Sequence, residues 1–297
     1  MIWHAQSWIA LRLNVQRHIS DDDYRDFRRF LEEASGILLG DNKHYLVSSR
    51  LHRLLEENGL TSVGELLIRL RRERRGELCN RVIEAMTTNE TLWFRDTHPY
   101  EILKDVILPE FERTGARRLA VWSAACATGQ EPYSISMIVE EYLATHPRAL
   151  PNGVSILATD ISSKVLNEAR RAVYDAVSVA RGLSPERRAR FMTPVTTSAG
   201  QSWEIRPEIR ARVTFREINL TQPLAGIGRF DIIFCRNVLI YFSTELKQTL
   251  LGRIHGALNP CGWLILGASE AVAGVSENFE MVRAARSVVY RSTAKRG

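Results

Sequence analysis

The sequence predicts an α/β protein in which a helical N-terminal domain precedes a mainly parallel sheet with helices on both faces. Apolar residues recur at helical spacing up to about residue 86, and short apolar runs alternate with amphipathic helices after about residue 115. About forty residues after the second strand–helix unit fit neither pattern. We interpret that stretch, at about residues 175–212, as an inserted subdomain made of a small helix and short strands.

The composition is that of a globular protein. Of the 297 residues, 45% are hydrophobic and 25% are charged, which excludes a wholly disordered chain. The net charge of +6 is mild for a nucleic-acid-binding protein. The four cysteines are scattered without metal-binding spacing, which favours a reducing, cytoplasmic compartment and predicts no metal site. No apolar run is long enough for a membrane span.

The first 86 residues predict an extension and four helices. Residues 1–20 form the extension, in which Arg12 interrupts the apolar residues, so it does not have the pattern of a signal peptide. Residues 21–86 form the helical domain, with helices starting near Asp21, near Tyr45, at Thr61 or Ser62, and near Gly76. Asp21 to Asp23 are the expected cap of the first helix.

The remaining chain predicts a linker at residues 87–115, which the resemblance described below makes a cofactor-contacting strip, and a sheet domain at residues 116–297. Its strands are expected at the apolar runs Leu119–Trp122, Val154–Ala158, Val213–Phe215, Asp231–Phe234, Trp263–Leu266 and Val288–Tyr290. An amphipathic helix follows the first strand, and Ser162 or Ser163 caps the helix that follows the second.

A loop of small residues joins the first strand to its helix. Ala124, Ala125, Ala127 and Gly129 would let a ligand approach the helix N-terminus. The spacing is neither GxGxxG nor a phosphate-binding loop, so an ordinary tight connection is an equal alternative. Asp160 ends the second strand, where a carboxylate can accept both ribose hydroxyls of a nucleoside ligand. The alternative for Asp160 is a helix cap.

Two further segments carry polar residues. Arg236 and Asn237 emerge at the end of the strand within Phe230–Phe242, beside the expected meeting point of substrate and cofactor. An Asn-Pro-Pro-Tyr there would indicate nitrogen methylation, and this chain has Arg-Asn-Val-Leu instead. The segment Thr87–Asp96 interleaves polar residues with Trp93 and Phe94, which suits either closure over a ligand or interdomain packing.

Four stretches together resemble the CheR-type chemotaxis receptor methyltransferases, which use S-adenosylmethionine. These are TTNETLWFRD, WSAACATGQEPYSI, ATDIS and FCRNVLIYF, and their order and spacing span about residues 21–290. The resemblance implies a Rossmann-like methyltransferase sheet of seven strands with an inserted small β-subdomain. It also implies a protein-glutamate O-methyltransferase, which forms glutamyl methyl esters on methyl-accepting chemotaxis receptors and releases S-adenosylhomocysteine.

The resemblance further implies a set of cofactor contacts. Glu131 would approach the methionine portion, and Asp160 would hold the ribose. The other implied contacts are Asn89, Thr91, Arg95, Asn219, Leu220, Arg236 and Asn237. The implied partners are the cytoplasmic signalling helices of chemoreceptors and a receptor tail peptide at the inserted subdomain. Nucleic acid and metal are not implied, and a membrane is reached only through the receptor.

The chemistry explains why no Ser/His/Asp or Cys/His constellation is evident. A glutamate carboxylate has a reference pKa of about 4.3 and is already ionised at neutral pH, so no general base is needed. The methyl donor is an activated sulfonium, so catalysis reduces to in-line positioning and exclusion of water. Cys126 and Cys235 need no thiolate role. Tyr241 is the candidate that orients the substrate carboxylate, and its alternative role is an aromatic of the core.

Basic residues predict where an acidic receptor docks. Arg50 and Arg53 lie three apart on the second helix and share a face, which is either a docking surface or a solvated helix face. Residues 163–216 hold eleven basic and five acidic side chains, an excess equal to the +6 of the whole chain. We expect this region, around the insert, to dock an acidic receptor segment with salt-sensitive affinity.

Two other functions compete with receptor methylation. One is methylation of RNA or of another signalling protein, and the Arg-Asn-Val-Leu stretch and the lack of a long basic strip disfavour RNA. The other is a cofactor-binding sensor without turnover, which would need broken motifs, whereas Arg95, Glu131 and Asp160 are intact.

Overall fold

The computed structural model describes residues 19–73, 76–198, 200–284 and 287–293, so residues 1–18 of the predicted extension lie outside the described residues. The chain divides into two compact units, Met1–Thr87 and Thr88–Gly297. The boundary falls one residue after the predicted end of the helical domain.

The first unit contains four helices: α1 (Asp21–Ser35), α2 (His44–Glu57), α3 (Val63–Glu73) and α4 (Glu77–Met86). The expected cap of α1 is wrong in detail, because the hydroxyl of Ser20 accepts the N–H of Asp23 at 3.1 Å. The three aspartates instead fill the first turn, where the helix dipole favours negative charge. Ser62 caps α3, and the carboxylate of Glu65 accepts the N–H of Thr61 at 2.6 Å.

The second unit begins with helical chain where a linker was predicted. Its helices α5 (His98–Ile102) and α6 (Leu108–Arg113) flank a π-helical turn at Leu103–Ile107. Trp93 and Leu103 are fully buried in the same apolar cluster as Val121 of the sheet. The buried side chains of residues 88–115 are therefore part of the core of the second unit.

The second unit is a layered α/β structure. Its strands are β1 (Leu119–Ala124), β2 (Val154–Asp160), β3 (Val173–Asp175), β4 (Met192–Thr197), β5 (Gly200–Ile205), β6 (Val213–Glu217), β7 (Phe230–Cys235), β8 (Leu258–Leu266), β9 (Phe279–Ala284) and β10 (Ser287–Ser292). Its further helices are α7 (Gln130–Thr145), α8 (Ser163–Arg171), α9 (Ala176–Ala180), α10 (Pro185–Phe191), α11 (Pro207–Arg210) and α12 (Thr244–Ala257).

Seven strands form one sheet in the order β6-β2-β1-β7-β8-β10-β9. The pairs from β6 to β8 are parallel, and β10 is antiparallel to both of its neighbours. Neighbouring residues of a strand, such as Ile232 and Ile233, pack into different apolar clusters because they point to opposite faces. Both faces are therefore covered, which is why these strands read as continuous apolar runs.

The inserted subdomain is a three-stranded antiparallel sheet in the order β3-β5-β4, with α9 and α10 between its strands. It begins at Val173, two residues before the predicted start. The apolar-run prediction missed one strand of the large sheet, β9, which carries Glu280 and Arg283 and lies at the sheet edge. Edge strands bury fewer side chains, so their apolar signal is weak.

Candidate active site

The strands of the large sheet end together at one edge. Ala124, the last residue of β1, pairs with Thr159 of β2 and with Cys235 of β7, and Cys235 pairs with Leu266 of β8. Because the carboxyl ends of parallel strands lie at one edge, the segments that follow these strands leave the sheet side by side. Ligands of open α/β sheets bind at this edge.

The loop after β1 has an unusual backbone. Ala125, Ala127 and Gly129 have φ angles of 58°, 47° and 95°, which L-residues rarely adopt. The loop is fixed to β2, since the N–H of Cys126 donates to the carbonyl of Thr159 at 2.9 Å. Gly129 starts α7 without a side-chain cap, so backbone N–H groups of the first turn face outward from the helix end. The structure thus places backbone hydrogen-bond donors for a polar ligand beside a loop of small residues.

Asp160 lies buried at the end of β2, with 7% of its surface exposed. Its Oδ2 accepts the N–H of Ala127 at 2.9 Å, and its Oδ1 accepts the N–H of Ser162 at 3.0 Å. Each carboxylate oxygen has a second lone pair, so the group can also accept hydroxyls of a ligand. Ser162, rather than Asp160, caps α8 through its hydroxyl. The helix-cap alternative for Asp160 is therefore wrong.

A buried charge cluster lies beside this loop. Arg236 follows β7, and its Nη1 donates to Oε2 of Glu131 at 3.0 Å. Its Nη2 donates to the carbonyl of Arg95 and to Oδ2 of Asp96, both at 2.7 Å. Oε1 of Glu131 accepts the hydroxyl of Ser123 at 2.8 Å. The cluster joins β1, α7, β7 and the Thr88–Thr97 segment.

Burial and charge act in opposite directions on this cluster. Burial raises the pKa of the Glu131 carboxyl, and the charge of Arg236 opposes that rise. Burial is the largest single effect on Arg236 and acts to lower its pKa, but the charges of Glu131, Tyr100 and Asp96 together outweigh it, so the pKa of the guanidinium is raised. The guanidinium therefore stays charged and compensates a carboxylate that is out of water.

The Thr88–Thr97 segment carries three of the predicted contacts. Asn89, Thr91 and Arg95 are half-buried, and the guanidinium of Arg95 donates to the carbonyl of Glu90 at 3.1 Å. Phe94, Asp96 and Thr97 have φ angles of 50°, 65° and 50°. Arg236 binds the backbone of this strained stretch, so it brings the segment to the edge of the sheet.

Asn219 and Leu220 follow β6 at the same edge. Glu217 pairs with Asp160, and the N–H of Ile218 donates to the carbonyl of Asp160 at 2.9 Å. Oδ1 of Asn219 accepts the N–H and the hydroxyl of Thr221, which closes a local turn. Leu220 is buried, and Arg253 donates to its carbonyl at 3.1 Å.

The turn after β7 depends on a residue that the sequence analysis missed. The carboxylate of Glu270 accepts the N–H of Asn237 at 2.7 Å and that of Val238 at 2.9 Å. Asn237 has a φ of 58°, and Tyr241 lies half-buried four residues later at the end of a 3₁₀ turn. No local sequence signal marks Glu270, because its partners belong to a turn more than thirty residues earlier in the chain.

The two predicted docking arginines belong to the first unit. Arg53 is 89% exposed and forms an ion pair with Glu57 at 2.7 Å. Arg50 is half-buried, and its Nη1 donates to the carbonyls of Met86 and Thr87 at 2.6 and 3.2 Å. The two side chains therefore differ in role: Arg50 ties down the end of α4, and Arg53 faces solvent.

Several arginines of residues 163–216 form ion pairs with glutamates of this chain. Arg187 binds Glu141 with two hydrogen bonds of 2.7 and 3.0 Å. Arg212 binds Glu140 at 2.5 Å, and Arg210 binds Glu204 at 2.7 Å. Glu140 and Glu141 lie on α7, outside the counted stretch, so the local positive excess is smaller than the sequence count.

Cys126 and Cys235 are buried free cysteines. Burial raises the pKa of both thiols well above the ordinary value, so both are neutral thiols at physiological pH. Within the described ranges, no cluster of His, Cys, Asp or Glu suits a metal ion. None of the described helices has the length and apolarity of a membrane span.

The structure brings most of the predicted site residues to one edge of the sheet. Glu131, Asp160, Asn219, Arg236 and Asn237 lie on segments that leave that edge side by side, and Arg236 connects the segment with Asn89, Thr91 and Arg95 to it. Arg50 and Arg53 lie in the other unit.

Comparison with known families gives two matches. Residues 89–288 match the family described as CheR methyltransferase, SAM binding domain. Residues 22–87 match the family described as CheR methyltransferase, all-alpha domain. Together they cover both units and nearly the whole described chain.

The chain is also similar to curated proteins over almost its full length. It is 49% identical over 271 residues to the chemotaxis protein methyltransferase Cher2 of Pseudomonas putida, covering 91% of this chain and 98% of that protein. It is 48% identical over 274 residues to a chemotaxis protein methyltransferase of Vibrio parahaemolyticus, covering 92% and 98%. With the Escherichia coli chemotaxis protein methyltransferase it shares 33% identity over 278 residues, covering 93% and 94%.

Proposed function

Since the chain belongs to the CheR methyltransferase family, we propose that it transfers a methyl group from S-adenosylmethionine to glutamate carboxylates of chemoreceptors. The products are glutamyl methyl esters and S-adenosylhomocysteine. The enzyme acts in the cytoplasm, where the receptor signalling helices are its substrate. The observation that carries the proposal is the buried carboxylate of Asp160, held by two backbone N–H groups beside a loop of small residues.

The residues at the sheet edge fit S-adenosylmethionine. Asp160 would accept the ribose hydroxyls, because a carboxylate oxygen can accept more than one hydrogen bond and the group already lies against the loop through Ala127 and Ser162. The apolar side chain of Leu220 would pack against the adenine, with Asn219 beside it. Asn89, Thr91, Arg95 and Asn237 would supply further polar contacts to the cofactor.

Glu131 and Arg236 act on the cofactor site by positioning. Their mutual bond and the bonds to Ser123 and Asp96 hold both side chains in place. Arg236 also holds the carbonyl of Arg95, so it places the Thr88–Thr97 segment against the sheet edge. In this proposal Glu131 lines the methionine end of the site, where its oxygens carry the negative charge that an ammonium group prefers.

The bound cofactor supplies an activated methyl group on a sulfonium. The receptor glutamate is ionised at neutral pH, since its pKa is about 4.3, so the chain need not remove a proton from it. The work of the protein is to align the carboxylate oxygen with the methyl carbon and to exclude water. Tyr241 orients that carboxylate through its hydroxyl.

Receptor docking involves both units. Arg53 steers the acidic signalling helix from its exposed position on α2. Arg50, three residues earlier on the same helix, fixes the end of α4. The inserted subdomain binds an acidic receptor tail peptide. Arg190 is exposed there, so Arg190→Glu is expected to weaken binding of an acidic tail peptide and to flatten its salt dependence. Unchanged salt dependence would remove the insert from the docking surface.

The test is methylation of a receptor cytoplasmic fragment with methyl-labelled S-adenosylmethionine. The expected product releases labelled methanol in mild alkali, because carboxyl methyl esters are base-labile and N-methyl groups are not. A fragment with its acceptor glutamates replaced by alanine is the control and must stay unlabelled. Alkali-stable label, or label in RNA instead of the fragment, would contradict the proposal.

A further inference from the structure

The carboxylate of Glu270 collects backbone N–H groups from two separate segments. Its Oε2 accepts from Asn237 at 2.7 Å and from Gly267 at 2.8 Å. Its Oε1 accepts from Val238 at 2.9 Å and from Ile240 at 3.3 Å. One side chain therefore satisfies four backbone donors at the edge of the sheet where the cofactor residues lie.

These donors belong to the turns that follow two paired strands. Asn237 to Ile240 follow β7, and Gly267 is the first residue after β8. Cys235 and Leu266 end these strands as paired neighbours. Glu270 thus joins the two turns just beyond the ends of their strands. Hydrogen bonds to a charged acceptor are stronger than those between neutral groups.

The absence of a side chain at Gly267 makes this arrangement possible. A Cβ at Gly267 would lie 2.7 Å from Oε2 of Glu270 and 2.9 Å from the backbone nitrogen of Asn237. Both distances are too short for a real Cβ atom. The close approach of the carboxylate to the turn after β7 therefore requires glycine at this position.

The turn that Glu270 holds carries two residues of the proposed site. Asn237 sits in the left-handed region with a φ of 58°, which costs energy for a residue with a Cβ. Tyr241 directly follows Ile240. Because Glu270 binds the N–H groups of Asn237, Val238 and Ile240, it determines the path of the backbone that carries both side chains.

We propose that Glu270 is a positioning residue for methyl transfer, which clamps the turn Asn237–Tyr241 so that Asn237 meets the cofactor and Tyr241 meets the substrate carboxylate. The identity of the substrate in this inference rests on the proposed function. The clamping of the turn by Glu270 rests on the hydrogen-bond geometry alone. Glu270 touches backbone rather than reacting atoms, so its effect on the rate passes through the turn.

The variant that tests the clamp is Glu270→Gln. It keeps the shape of the side chain, but its NH₂ group cannot accept the two N–H groups that one carboxylate oxygen now binds. We expect kcat at saturating cofactor to fall by up to about tenfold, the loss expected when the Tyr241 hydroxyl no longer meets the substrate carboxylate. The dissociation constant of S-adenosylhomocysteine is expected to rise roughly fivefold through Asn237.

The matched control is Glu277→Gln, the same substitution on an exposed carboxylate of the following segment. It should leave kcat, cofactor affinity and melting temperature unchanged. Glu270→Asp retains both oxygens on a shorter side chain, so we expect a smaller loss of kcat than for Glu270→Gln. That graded recovery is not expected of a residue that only stabilises the fold, and it keeps the test usable if Glu270→Gln unfolds.

Amide hydrogen exchange of Asn237, Val238, Ile240 and Gly267 provides a readout without any receptor. Faster exchange at these amides in Glu270→Gln, together with weaker S-adenosylhomocysteine binding, supports the clamp even if the wild-type protein fails to methylate receptor fragments, a failure that would count against the proposed function alone. Unchanged amide exchange, or wild-type kcat and cofactor affinity in a folded Glu270→Gln protein, would overturn the inference.

Discussion

The guanidinium of Arg236 donates to the carboxylate of Glu131 at 3.0 Å, across 105 residues of sequence. The two side chains are 2% and 11% exposed, so each compensates a charge that is out of water. The same guanidinium holds Arg95 and Asp96.

Replacing Arg236 with methionine should destabilise the second unit by about 3 to 5 kcal/mol, because it leaves Glu131 buried without its partner. Urea unfolding measures the loss. The double variant Arg236→Met with Glu131→Gln should recover much of it, since no buried charge remains. Equal losses in the single and double variants would show that the ion pair is not the cause.

The loss in Arg236→Met should also depend on pH. Burial raises the pKa of Glu131, and removing Arg236 takes away the charge that opposes this rise. A folded-state pKa above the unfolded value means that the folded state binds the extra proton, so stability recovers as the pH falls through the raised pKa. The destabilisation should be smaller at about pH 5 than at about pH 8.

Gly182 should tolerate alanine poorly. Its φ is 99°, and an added Cβ would lie 2.1 Å from the carbonyl oxygen of Trp93. We expect Gly182→Ala to cost about 3 to 5 kcal/mol of unfolding free energy. Gly200 is the matched control, because its φ is 101° and nothing lies within 4 Å of its added Cβ, so strain of about 1 to 2 kcal/mol remains. Similar losses at both positions would contradict the contact with Trp93.

Asp160→Asn should weaken binding of S-adenosylhomocysteine about tenfold to a hundredfold, the range for hydrogen bonds to a charged group. The amide also turns an N–H donor toward the N–H of Ala127 or Ser162, which disturbs the loop. Calorimetric titration measures the affinity, with exposed Asp105→Asn as the control. An unaltered dissociation constant would remove Asp160 from the cofactor site.

Tyr241→Phe should lower kcat for receptor methylation roughly fivefold to tenfold, because it deletes one hydrogen bond to the substrate carboxylate. The affinity for S-adenosylhomocysteine should stay the same, since the hydroxyl faces the substrate in our proposal. Single-turnover kinetics with pre-bound cofactor separate the two effects. A wild-type rate would mean that Tyr241 is an ordinary packing aromatic.

Arg53→Glu should raise the KM for the receptor roughly threefold and leave cofactor affinity alone. Exposed Arg72→Glu on α3 is the control for a general change of charge. Arg50 is the less informative position, because Arg50→Glu also removes the bonds to Met86 and Thr87 and should destabilise the helical unit. A receptor KM unaffected by Arg53→Glu would argue against steering by α2.

The sequence located the sheet and most site segments because their signals are local. Apolar runs mark β1, β2 and β7, whose two faces are both covered. The strand β9 was missed because an edge strand buries little, and the cap of α1 was misplaced by one residue because serine and aspartate serve equally well as caps. Glu270 was missed because its partners are backbone N–H groups of a turn about thirty residues earlier in the chain.

The sequence by itself determined the fold class and the resemblance that indicates the chemistry, because periodicity and motif spacing are properties of neighbouring residues. The tertiary structure decided which charges are available. Arg236 is buried between Glu131 and Asp96. Arg187 and Arg212 form ion pairs with glutamates of α7, and Arg50 donates to a carbonyl at the end of α4. The charge of a residue can be read from the sequence, but its ion-pair partners depend on which distant segments the strand order places side by side.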